Sequence, residues 1–85
     1  MAQIEIQGIT LNYDKENFND LELIDWIDDI NRGNVLPIKK TIERLFPEDA
    51  NKIYDKFRNE RGIIPIDKVG VFVGEAVEKV AEIKN

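Results

Sequence analysis

Apolar and polar residues alternate through residues 2–13, and the phase changes once: Ile4 and Ile6 fall on even positions, Ile9, Leu11 and Tyr13 on odd ones. A two-residue turn at Gln7-Gly8 accounts for the shift. Pairing Ile6 with Ile9 and Ile4 with Leu11 then puts all four on one face of an antiparallel hairpin, with Glu5 and Thr10 on the other. The pattern predicts a β-hairpin over residues 1–13. A lone hairpin is marginal in water, so its apolar face must lie on helices or its edge must pair with another chain.

Beyond the polar segment 14–19 the period lengthens. Asn19 or Asp20 suits the N-cap of a helix over 20–31, which Gly33 ends. Leu23, Ile24, Trp26, Ile27 and Ile30 share one arc of that helix, and Glu22, Asp25, Asp28 and Asp29 share the opposite one. Pro37 fits the first turn of a second helix, 36–46, whose Ile38, Ile42, Leu45 and Phe46 lie together. Pro47 stops it and opens a third, 48–61, with Glu48 and Asp49 at its positive end and Gly62 as a left-handed C-cap. Its buried face is Ala50, Ile53, Tyr54 and Phe57. The run Ile63-Ile64-Pro65-Ile66 reads as an extended connector burying its isoleucines. Asp67 then caps a fourth helix, 67–83, with the core stripe Val69, Phe72, Val73, Ala76, Val80 and Ile83. These elements predict a mainly α fold, a compact four-helix single domain over 1–85 with a short N-terminal β-hairpin.

One feature of the fourth helix exceeds what a core demands. Gly70 and Gly74 each cost about 1 kcal/mol relative to alanine inside a helix, and with Val77 and Ala81 they form a small-residue stripe beside the core stripe. The two stripes together cover about 200° of helix surface, where about 100° suffices for packing on one core. Close approach of another helix, from a partner or from the same chain, is the use of that excess. Gly70, Gly74, Val77 and Ala81 are therefore the candidate partner-binding residues.

Composition narrows the chemistry. The 85 residues include no histidine, no cysteine and no serine, which removes thiol catalysis, zinc clusters and a Ser-His-Asp triad. The five glycines form no phosphate-cradling pattern, so neither a nucleotide nor any other cofactor is expected. An enzyme is the last reading, because only isolated carboxylates are present for proton transfer. With 42% apolar and 34% charged residues the chain is too apolar for disorder. No basic leader or long apolar run is present, so the expected location is the cytoplasm, with no membrane contact. At this length the core is modest, and oligomerisation would stabilise it.

The net charge is -5 and unevenly spread: residues 14–31 carry one cation and seven acids, residues 32–61 eight cations and five acids. The two blocks should attract each other or a neighbouring subunit. Lys39, Lys40 and Arg44 allow helices two and three to be read as a helix-turn-helix, but Glu43 sits among them and the overall acidity disfavours nucleic acid. Asp25, Asp28 and Asp29 share a helix face; they lack the loop spacing and glycine of a calcium site, and a solvated face is the better reading. Trp26, the lone tryptophan, fits a core or interface role better than ligand stacking.

Taken together, the acidic helix ending in DWIDDINRGN (25–34), the stretch RLFPEDANKIYDKF (44–57) and the G-x-x-P-I-D connector (62–67) resemble the small tail assembly chaperones of long-tailed bacteriophages of Gram-positive hosts. The resemblance covers nearly the whole chain and rests on pattern and length. It departs from the family at Phe46-Pro47, where Leu-Gly is common, which bears on the angle between helices two and three. It implies a non-enzymatic, largely helical protein of the host bacterial cytoplasm that forms homo-oligomers and binds the tape-measure protein, keeping that long coil soluble while the tail tube assembles. Such chaperones are often made in short and frameshift-extended forms, so an extended form of this chain is a further implied partner. The ending Ile83-Lys84-Asn85 fits the slippery codons ATA-AAA-AAC; a different codon choice would remove that support.

Overall fold

The computed structural model describes residues 2–84, and the side chains of residues 2–82. Strands β1 (Ala2–Ile6) and β2 (Ile9–Tyr13) form an antiparallel hairpin in the register the alternation predicts, with Ile6 opposite Ile9 and Ile4 opposite Leu11. Gln7 and Gly8 both adopt positive φ, 49° and 86°, the twist that a two-residue hairpin turn requires. Ile4, Ile6, Leu11 and Tyr13 are buried against the helices. Met1 and Asn85, at the margins of the expected elements, lie outside the described residues.

The polar segment after the hairpin is a short 3-10 turn, Lys15–Phe18, capped by the Asp14 carboxylate. It turns Phe18 inward, edge-on between Tyr13 at 5.3 Å and Phe46 at 5.9 Å. Helix α1 (Leu21–Asn31) follows with Asp20 as N-cap, its side chain accepting from the Glu22 amide. Gly33, at φ 96°, ends the chain's helical path. Leu23 alone of its expected apolar arc is fully buried; Trp26, Ile27 and Ile30 are half-buried, and Ile24 is exposed. An 11-residue helix lying on the outside of a small core offers that core only a narrow strip.

Helices α2 (Ile38–Leu45) and α3 (Ala50–Phe57) are both shorter than the period suggested. Leu36 precedes α2 in a turn, and Pro37 stands just outside as its N-cap residue. Pro47, Glu48 and Asp49 form a turn and do not open a helix. Asp49 occupies the N-cap position of α3, yet its carboxylate is drawn instead to the Asn12 amide at 2.7 Å. Arg58 is extended, and the Asn59 side chain accepts from the Arg61 and Ile63 amides, so Gly62 (φ 80°) serves a loop and caps no helix.

Helix α4 (Ile66–Lys84) starts one residue before the expected cap, so Asp67 lies in its first turn and Pro65 precedes it. The connector does not bury its isoleucines: Ile63 and Ile66 are exposed and Ile64 is half-buried. Proline at 65 breaks any helix running in from α3 and starts a new one, which leaves these side chains on the rim. Val69, Phe72, Val73, Ala76 and Val80 are buried as the stripe predicts, while the Ile83 side chain lies outside the described residues. One apolar cluster joins the hairpin and all four helices. Helix α2 lies at its centre, touching α1, α4 and the 3-10 turn, while α4 also packs on β1. No described helix is long and apolar enough to cross a membrane.

Candidate interaction groove

Ile38 and Ile42 from α2, Tyr54 from α3, and Ile64, Ile66 and Val69 around the start of α4 line an open groove of about 470 Å³. Lys39, Glu43, Asn51 and Arg58 stand around it. The volume falls in the range of small-molecule and peptide-anchor pockets, about 300–1,000 Å³. Its lining is apolar, with polar groups that bracket the opening.

The rim has its own order. The Tyr54 hydroxyl donates to Glu43 Oε2 at 3.1 Å, bridging α3 to α2. Burial, the hydrogen bond to Glu43 and the charge of that carboxylate push the Tyr54 phenol up to about 12. Arg58 lies near Asp55, 3.6 Å away, and donates to the Gly62 carbonyl at 3.5 Å. No ion pair engages Lys39 among the described residues.

The four residues singled out on α4 share one face of the helix and differ in exposure. Gly70 lies beside the groove: a Cβ built there would meet Ile38 Cδ1 at 3.8 Å, an ordinary van der Waals contact, so the spacing of α2 and α4 does not require glycine. Val77 is half-buried and packs on the core. Gly74 and Ala81 are exposed, and a Cβ on Gly74 would meet nothing within 4 Å. The stripe is thus a sill running from the groove out along α4. The groove residues themselves were not singled out as a site by sequence, because each isoleucine reads as core when its helix is considered alone. The signal was the surplus: more large aliphatic residues than a core of this size covers.

A second apolar surface lies on α1. Leu21 is 76% exposed and Ile24 62%, one turn apart, with Asp25 and Asp28 beside them. On the opposite side of the same helix, the Trp26 ring lies under two cations of α2, Lys40 Nζ at 4.9 Å and the Arg44 guanidinium at 5.0 Å from its centroid. Arg44 also pairs with Asp20. Two of the three residues of the basic group therefore face α1. Asp28 pairs with Arg32 at 3.0 Å, and among the described residues no three acidic side chains gather closely enough to hold an ion.

No known protein family, characterised protein or solved structure matches this chain.

Proposed function

We propose that this chain is a tail assembly chaperone of a long-tailed phage, acting in the host cytoplasm by binding the tape-measure protein and by associating with itself. The observation that carries the reading is the open apolar groove between α2, α3 and α4. A chaperone for a long amphipathic coil needs apolar surface that stays uncovered in the free protein, with charge elsewhere to keep it soluble. Ile66 at the groove wall, Ile63 beside it and the half-buried Ile64 supply the first, and the net charge of -5 the second. Side chains of a helical segment would enter the groove at i and i+3 or i+4 spacing, its backbone lying along the sill where no Cβ projects from Gly74.

Co-expression with the tape-measure protein tests this. The wild-type chain should keep that protein soluble and co-purify with it, and Ile66→Glu, at an exposed position in the groove wall, should abolish both while leaving the fold intact by circular dichroism. Tape-measure protein that aggregates equally with and without the chain would sink the reading. The helix-turn-helix alternative is less favoured, since Lys40 and Arg44 lie over Trp26 of α1 and Arg44 pairs with Asp20. Duplex DNA binding that weakens steeply with salt would reinstate it.

A further inference from the structure

A two-stranded sheet has two open edges, each a template on which a further strand can pair. Among the described residues the sheet is β1 and β2 alone. Ile6 stands opposite Ile9 across a two-residue turn, so the backbone groups of Ile4, Ile6, Ile9 and Leu11 point into the ladder. Those of Gln3, Glu5, Thr10 and Asn12 point outward. Three of the outward groups are engaged by side chains from distant segments. On the β1 edge, Lys79 Nζ donates to the Glu5 carbonyl at 2.7 Å. On the β2 edge, Lys52 Nζ donates to the Thr10 carbonyl at 3.2 Å, and the Asn12 amide donates to Asp49 Oδ2 at 2.7 Å. We propose that these are blocking contacts: Lys79 on one edge, and Lys52 with Asp49 on the other, keep the hairpin from pairing with an extended strand of another chain.

The strands cannot protect themselves. Residues 2–13 contain a single charged side chain, Glu5, no proline, and β-branched or aromatic residues at Ile4, Ile6, Ile9, Thr10 and Tyr13. That is the composition of segments that add strands readily once an edge is bare. Protection therefore has to come from elsewhere in the chain. Stability does not account for the two lysine contacts, because both lysines and both residues they meet are exposed, and water would replace either bond at little cost. Against an arriving strand the balance differs. Each ammonium sits where that strand would lie, and pairing would have to displace it or leave it desolvated. Blocking both edges matters because a repeating stack grows only when a strand can pair on each side. The device is independent of the groove and its occupant.

Methionine keeps the aliphatic stem and removes the ammonium. Lys79→Met with Lys52→Met opens both edges and should fold like the parent, with a melting temperature within about 3 °C of it, because the sites are exposed. On incubation at neutral pH the parent should leave thioflavin T dark. The double variant should develop a thioflavin signal and an intermolecular β-sheet band in its infrared spectrum. It does so against charge, since the substitutions take the net charge from -5 to -7 and strengthen general repulsion. Lys79→Arg with Lys52→Arg keeps both donors and should behave as the parent. Should the methionine variant lose its fold, Lys79→Ala with Lys52→Ala replaces it. A parent that itself turns thioflavin-positive, a folded double variant that stays dark, or an arginine variant that aggregates as the methionine one does would each overturn the proposal.

Discussion

Gln7 holds a backbone conformation, φ 49°, that side-chain-bearing residues seldom adopt. Asparagine tolerates that region far better and is the preferred residue at the first position of such hairpin turns. Gln7→Asn should therefore stabilise the protein by about 0.5 kcal/mol, a fraction of the cost of about 1–2 kcal/mol for left-handed backbone. A urea midpoint equal to or below the parent's would refute it. Trp26 makes the opposite case. Its ring is half-buried, covered by Lys40 and Arg44 and packed against the core, so both apolar burial and cation-π attraction depend on it. Trp26→Ala should cost about 2 kcal/mol, below the loss for a fully buried tryptophan because part of the ring is already wet. Native fluorescence should be blue-shifted relative to the unfolded chain; a spectrum that does not move on unfolding would contradict this placement.

At the scale of elements, α4 carries an unforced weakness. Gly74 sits in mid-helix with open space where a side chain would be, so Gly74→Ala should raise stability by about 1 kcal/mol through helix propensity alone. Calorimetry checks this, and no gain in melting temperature would mean that the helix is locally distorted there. The same elements show how far sequence reaches. Hairpin register was legible because period-two alternation broken by a two-residue turn admits one pairing that puts all four aliphatics on one face, of which Ile4, Ile6 and Leu11 are buried and Ile9 half-buried. The buried stripe of α4 was legible for the matching reason, a sustained period over 19 residues. The ends of α2 and α3 were not. Asp49 belongs by local rules to the start of α3, but its carboxylate is bonded to Asn12, 37 residues earlier, and no local pattern encodes a partner so distant. The groove was hidden for a related reason: Ile42, Ile64 and Val69 come from separate elements, and only their packing reveals the space between them. The small-residue stripe lies on one face of α4, but its members differ in exposure: Gly70 and Val77 are half-buried, Gly74 and Ala81 exposed.

For the molecule as a whole, stability at high pH is tied to the α2–α3 bridge. The Tyr54 phenol is raised above its ordinary value of 10.0 to about 12, and a raised acid contributes stability that is present below the unfolded value and disappears as pH rises through the folded one. The protein should hold its denaturant midpoint through neutral pH and lose part of it between pH 10.0 and about 12, and Tyr54→Phe should remove that component of the loss. Equal slopes for parent and variant across this interval would show that the bridge is open in solution. The hairpin holds a different dependence on the whole chain. Its outward-facing backbone groups are occupied from afar: Lys79 Nζ donates to the Glu5 carbonyl at 2.7 Å, Lys52 Nζ to the Thr10 carbonyl at 3.2 Å, and Asp49 accepts from the Asn12 amide. Hairpins form in microseconds from local contacts, whereas these three side chains arrive only with α3 and α4. During synthesis the ribosome therefore releases a strand pair before its guards exist, and its sticky edges stay open until Lys79 has emerged and α4 has docked. A chain stalled before that point exposes a template for strand addition, and the interval closes only when the last helix is complete.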